Sequence, residues 1–259
     1  MTENRTDAVR LEVKAGAAHV TIDRPPLNVL DIPTNRALAS TLRSLRARDD
    51  VKVVVLAGAG TRAFSAGVEV RDHTPERIED MLDAFHDVFA ALANLNRLTV
   101  AAVRGLALGG GCELVAFCDV TIAEESAVFG LPEIKLGCFP PVAAVLLPHL
   151  VGRKHAAELI LSGEPIGAKE AFEIGLVTKL VPDGALEREL PGYLARFTEK
   201  SAAVLQLTYE TLRADWPLDF FEALKQVERV YVDQLMESVD AREGIEAWIE
   251  KRAPQWKNR

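Results

Sequence analysis

A chain of 259 residues, 49% of them hydrophobic, can bury a sizeable core as one large α/β domain or as one domain with a helical appendage, without disulfide staples. Thirty-eight acidic against thirty basic side chains leave a net charge of -8, which argues against nucleic acid or an anionic membrane as main partner but leaves room for a small anion held by a local group of positive charges. Cys112, Cys118 and Cys138 lack Cys-x-x-Cys spacing, the histidines lack metal-site spacing, and neither a secretory start nor an apolar run of about 18 residues is present, so the expectation is a soluble, cytoplasmic protein with reduced cysteines and no metal.

In chain order, Val9–Val13 and His19–Ile22 alternate as two strands around the turn-forming Lys14-Ala-Gly-Ala. Asp31 is the expected N-cap of a helix reaching Arg46, with Leu38, Leu42 and Leu45 at helical spacing. Val51–Ala57 is nearly continuous in β-branched residues and predicts a buried strand, followed by Phe64-Ser-Ala-Gly67 and a polar loop. Glu76–Leu95 predicts a long helix with Ile78, Leu82, Phe85, Phe89 and Leu92 on one face. A strand over 99–103, a helix over 111–117, and strands over 119–123 and 127–129 come next, then short helices over 141–150, 153–161 and 168–174 and a closing strand over 176–181. From Glu187 onward the pattern is helical, which places a boundary near 195–200: a core over 1–197 and a helical region over 198–259 suited to packing or association.

The run Gly105-Leu-Ala-Leu-Gly-Gly-Gly-Cys-Glu113 joins a strand to a helix. Unpaired N–H groups at the positive end of a helix hold an anion, and glycines let it approach. A phosphate loop would need Lys-Ser or Lys-Thr where Cys112-Glu113 stands, and the dinucleotide fingerprint fails at Leu114. An acid in the first turn suits proton transfer beside a developing oxyanion; the plain alternative is a tight packing turn. A second turn, Ala63-Phe-Ser-Ala-Gly67, follows the other buried strand, and two such turns at one sheet edge can aim two N–H groups at one thioester oxygen. The serine-nucleophile reading of Ser65 demands a helix at once, where Val68–Pro75 is loop-like.

Together, Asp23-Arg-Pro25 with Leu27-Asn28, Ala63–Gly67, Gly105–Leu114, Cys118-Asp119, Phe129–Glu133 and Leu161-Ser-Gly163 resemble the crotonase, or enoyl-CoA hydratase and isomerase, superfamily, in order over about residues 9–182. The resemblance implies a spiral core of ββα repeats, a helical C-terminal trimerisation region, and a homotrimer or a hexamer built as a dimer of trimers. It implies an oxyanion hole from the N–H groups of Ala66 and Gly110, with Gly67, Val68 and Glu69 beside the substrate, and it places Glu113 and Glu133 on the hydratases' two catalytic carboxylates. Relatives with one acid isomerise, hydrolyse or decarboxylate, so two acids point to addition or removal of water. Glu113 is assigned as the base and Glu133 as the acid of a coupled pair, an order that residue types alone leave open to reversal.

The acyl carrier implied is coenzyme A, part of the substrate rather than a cofactor. Arg24, Arg62 and Arg71 are the candidate phosphate partners, and Trp256-Lys257 stand where the family reaches the adenine of a neighbouring subunit. After the second acid, Gly137-Cys-Phe-Pro-Pro-Val-Ala-Ala-Val-Leu-Leu147 replaces the glycine-rich segment of ordinary fatty-acyl hydratases; Phe139, Pro141 and their neighbours offer a stiff apolar pocket wall. This stretch resembles the cyclohexa-1,5-diene-1-carbonyl-CoA hydratases of anaerobic benzoyl-CoA degradation, which implies a ring substrate.

Overall fold

The computed structural model describes residues 3–6, 8–214 and 220–258. A seven-stranded sheet and a four-stranded sheet share the strands between them. The chain opens with β1 (Glu3–Thr6), β2 (Val9–Lys14) and β3 (Ala17–Ile22), an antiparallel meander. Helix α1 (Ile32–Ser44) starts as predicted at Asp31, whose carboxylate accepts from the Thr34 N–H at 2.9 Å.

Three strand–strand–helix repeats then follow: β4 (Val53–Gly58), β5 (Ala63–Ser65) and α2 (Ile78–Ala93); β6 (Leu98–Val103), β7 (Leu106–Leu108) and α3 (Gly110–Phe117); β8 (Val120–Glu124), β9 (Val128–Gly130) and α4 (Pro141–Leu150). In each repeat the long β-branched strand enters the large sheet, parallel to its neighbours, and the short one enters the small sheet. The chain thus spirals along both sheets at once, because a right-handed crossover returns every long strand beside the last. The polar loop expected after Gly67 contains a 3-10 turn, Val70–His73, capped by Glu69.

Helix α5 (Gly152–Ser162), β10 (Ile166–Gly167), α6 (Ala168–Glu173) and β11 (Lys179–Val181) close the core; β11 ends the large sheet and β10 the small one. The C-terminal region is helical as predicted: α7 (Leu186–Thr198), α8 (Ala202–Ala214), α9 (Phe220–Val230), a π-helical turn at Tyr231–Leu235, and α10 (Val239–Ile249). Its residues Phe220, Leu224, Tyr231 and Ile245 join the main core rather than forming one of their own. Cys112, Cys118 and Cys138 are buried free thiols, consistent with packing residues.

Candidate active site

The small sheet brings three loops to one edge. Strands β5, β7 and β9 run parallel, so the segments leaving their C-terminal ends, Ala66–Val68, Gly109–Gly110 and Leu131–Glu133, emerge side by side, where parallel sheets bind ligands. Between them lies a cavity of about 80 Å³, lined by Val68, Gly110, Glu113, Glu133, Phe139 and Tyr231 among others. A larger cleft of about 740 Å³ on the far side of the large sheet, lined by Arg10, His19, Arg104 and Leu190, holds none of the predicted site residues.

The glycines serve both readings of their run. Gly109 has φ +52°, and a Cβ there would come within 2.8 Å of Glu133 Oε1. A Cβ on Gly110 would lie 2.8 Å from Phe85 and from Val68 Cγ2. The first turn of α3 therefore sits against the β5 turn with no room for a side chain, and the Gly110 N–H, first in its helix, has no intrahelical acceptor.

The partner of Gly110 differs from the expected one. The Ala66 N–H donates to the Leu27 carbonyl at 2.9 Å, so that donor is spent on holding the turn. One residue on, the Gly67 carbonyl accepts from the Leu30 N–H at 2.9 Å, and the Glu69 N–H donates to the Leu30 carbonyl at 3.2 Å. This bridge leaves Val68, between them, with its N–H facing away from Leu30, and among the described residues it has no acceptor. Val68 and Gly110 are thus the open pair of donors. Sequence reasoning placed Val68 beside the substrate but missed its N–H, because the bridge to Leu30 is a tertiary contact with no local signal.

Glu113, in the first turn of α3, is buried, and its Oε1 accepts from the Ala143 N–H at 2.8 Å. Ala143 belongs to the first turn of α4, which begins at Pro141 after Pro140. Proline at that position loses no useful donor, so the free amides of Val142 and Ala143 point at the carboxylate. Burial pushes the Glu113 carboxyl up to about 7, while these amides oppose the shift.

Glu133 sits on a 3-10 turn, Pro132–Leu136, ended by Gly137 in the left-handed region and tied by the Cys138 N–H to the Glu133 carbonyl at 3.0 Å. The residue as a whole is half-buried, yet its Oε2 is shut off from solvent and has no hydrogen-bond partner among the described residues. Burial first, and then the charge of Glu113, hold its carboxyl well above the usual carboxylate range. Two acids thus share one cavity, one braced for a negative charge and the other for a proton.

Of the remaining predicted residues, Ala66, Gly67, Phe139 and Pro141 line the cavity. Glu69 does not: its Oε1 caps the 3-10 turn at Arg71 N. The Arg24 guanidinium is held by Asp31 at 2.9 Å and the Val29 carbonyl at 3.2 Å, which ties it to the start of α1. Arg62 and Arg71 stand exposed on the loops around the β5 turn. Trp256 and Lys257 lie outside the cavity, the Lys257 N–H on Asp240. Sequence reasoning missed Tyr231, which lies within the helical pattern read from Glu187 onward.

Comparison with known proteins shows the family. Residues 12–259 match the enoyl-CoA hydratase/isomerase family model. A probable enoyl-CoA hydratase of Bacillus subtilis is 35% identical, covering 97% of this chain and 99% of its own. A cyclohexa-1,5-dienecarbonyl-CoA hydratase of Thauera aromatica is 34% identical, covering 97% and 96%. Among solved structures, an enoyl-CoA hydratase from Mycobacterium avium subsp. paratuberculosis superposes with a TM-score of 0.88 at 30% identity, over 98% of this chain and 100% of that one. Among the described residues, no helix is long and apolar enough to cross a membrane.

Proposed function

The chain belongs to the enoyl-CoA hydratase/isomerase family and is a hydro-lyase of the enoyl-CoA hydratase type, and from that premise we propose that it hydrates a conjugated ring thioester, cyclohexa-1,5-diene-1-carbonyl-CoA, to 6-hydroxycyclohex-1-ene-1-carbonyl-CoA. The observation that carries the mechanism is the contrast between two buried acids beside one open pair of N–H donors. The thioester oxygen sits on the N–H groups of Val68 and Gly110, which stabilise the charge it gains in the enolate. Glu113, ionised and held by the α4 amides, takes a proton from water as the oxygen bonds to the carbon β to the thioester. The diene electrons shift through the enolate, and protonated Glu133 delivers its proton to the far carbon of the diene. The remaining double bond stays conjugated with the carbonyl. The net change is one C–O and one C–H bond formed, at the expense of one water and one double bond.

The ring is supported by the Phe139-Pro-Pro-Val-Ala-Ala-Val145 stretch, by the aromatic walls Phe85, Phe139 and Tyr231, and by the similarity to the Thauera aromatica hydratase. A second reading, a short linear enoyl-CoA, is favoured by cavity size: about 80 Å³ here, against ~150 Å³ for a cavity that binds benzene. Offering crotonyl-CoA and cyclohexa-1,5-diene-1-carbonyl-CoA side by side, with products identified by mass, separates the two. Gain of one water on the ring substrate supports the first reading, and gain on crotonyl-CoA alone supports the second. We extend the proposal to a trimer, or a dimer of trimers, in which residues 198–259 form the contact region, working in the cytoplasm with Arg62 and Arg71 near the coenzyme A phosphates. Trp256 and Lys257 would serve the site of a neighbouring subunit.

A further inference from the structure

Tyr231 comes from the C-terminal helices, 1% exposed, yet it lines the cavity that the core builds. Its ring meets Phe139 edge-on, with centroids 5.0 Å apart at 64°. Its hydroxyl lies beside Cys138, and the Cys138 thiol donates to the Leu136 carbonyl at 3.6 Å. Both contacts lie on the segment that follows Glu133, so the phenol is fixed at the inner wall of the pocket. The backbone at this point is irregular: α9 gives way to a π-helical turn in which the Met236 N–H donates to the Tyr231 carbonyl at 3.0 Å. Such a turn widens the helix by one residue and re-aims the side chains it carries, and it occurs frequently at functional sites. A packing residue alone needs no π turn, and Leu224 reaches the same core from regular α9.

We propose that Tyr231 sets the depth of the acyl pocket, the π turn delivering its ring as the floor beneath the reacting carbons, so that the enzyme selects acyl groups that end within about five carbons of the thioester. A six-membered ring fits this limit as well as a short chain does, since its carbon opposite the carboxyl lies no deeper than the fifth carbon of a linear acyl group. The inference rests on the acyl-CoA reading of this site. It also explains how a pocket of about 80 Å³ can serve a thioester enzyme at all: the reacting end is enclosed and nothing beyond it is accommodated.

The test uses binding of saturated butanoyl-, hexanoyl- and octanoyl-CoA, which are not hydrated, measured by titration calorimetry on the full-length protein and on Tyr231→Phe, Tyr231→Leu and Tyr231→Ala. The wild type is expected to bind octanoyl-CoA at least about tenfold more weakly than butanoyl-CoA, the discrimination that even one ill-fitting methylene supplies. Tyr231→Phe, which keeps the ring, should hold that ratio, while Tyr231→Leu and Tyr231→Ala should abolish or invert it. Equal binding of all three thioesters by the wild type overturns the proposal even if no variant folds, and so does an unchanged ratio in folded Tyr231→Leu. Turnover of crotonyl-CoA and the ring substrate by the same wild-type sample is the separate control. Length-selective binding without any hydration would reject the hydratase mechanism and leave the role of Tyr231 standing.

Discussion

Glu113 is buried and Glu133 has a carboxyl oxygen shut off from solvent without a partner, but only Glu113 is held by the amides of α4, and that difference sets the pH behaviour of the site. Activity requires Glu113 ionised and Glu133 protonated. The rate should therefore rise with pH through a value near the 7 to which Glu113 is pushed and fall at higher pH as Glu133 loses its proton, the two limbs belonging to the coupled pair. Replacing either acid by Gln should lower kcat by about 10²–10⁴-fold, with loss of the acid limb in Glu113→Gln and of the basic limb in Glu133→Gln, read from kcat/KM profiles between pH 5 and 10. Near-full hydration by either variant would refute the two-acid mechanism. Stability should move the opposite way for Glu133. Its folded carboxyl titrates above the unfolded value of about 4.3, so its contribution is intact below that pH and is lost as pH rises toward the folded value. Glutamine has no proton to lose. Glu133→Gln should thus gain on the wild type by up to about 1.4 kcal/mol per pH unit between pH 5 and 7, in denaturant titrations at fixed protein concentration. Both acids were legible in the sequence because each sits in a local pattern, Gly-Gly-Gly-Cys-Glu and Leu-Pro-Glu. Their division of labour was assigned from the sequence only with its order open to reversal, since it depends on where α4 points its first amides.

At the scale of elements, the segment Leu27–Leu30 fastens the oxyanion turn. The Leu27 carbonyl holds Ala66, Leu30 bridges to either side of Val68, and the Asn28 amide donates to the carbonyls of Ala59 and Ala63 at 3.0 and 2.8 Å. Asn28 has φ +54°, a conformation that Asn tolerates better than most residues. Asn28→Ala takes this donor from the buried Ala63 carbonyl and the partly buried Ala59 carbonyl and should cost on the order of 2–4 kcal/mol. Because the freed segment carries Val68, kcat should fall with stability, whereas a residue that only supported packing would lower stability alone; thermal unfolding and initial rates on one preparation separate the two. The same scale explains what the sequence could convey. Strands β4, β6 and β8 are apolar and β-branched enough to be seen, and Asp31 marks a helix start by its chemistry. Strands β5, β7 and β10 have two or three residues each, too few for any period, yet β5 and β7 aim the donors. The Phe139-Pro-Pro stretch was readable as a stiff pocket wall and Pro141 as a helix start, but its service to Glu113 arises only when α3 and α4 meet.

For the whole molecule, α8 is the part that one chain leaves unfinished. Its Tyr209 hydroxyl donates to Asp119 at 3.0 Å and pins the helix to the end of the large sheet, while Val204, Leu207 and Leu212 are 62%, 64% and 73% exposed. Between this helix and Val51, Arg97, Leu98 and Phe197 runs an open groove of about 370 Å³. Leaving such side chains in water forfeits roughly 1.5–3 kcal/mol each relative to full burial, so association of copies through this face is the arrangement that would recover it. If copies associate through this face, Leu207→Asp combined with Leu212→Asp should yield monomer in sedimentation velocity at micromolar protein, because a carboxylate buried between copies has no partner there. The folded monomer should keep its far-UV spectrum, since neither side chain is buried within the chain. If Trp256 and Lys257 serve the site of a neighbouring copy, that monomer should lose affinity for coenzyme A thioesters while retaining the pH profile set by Glu113 and Glu133. A wild-type protein that sediments as a monomer, or a double variant that stays assembled, would remove this face as the contact and with it the reason for its exposed apolar residues.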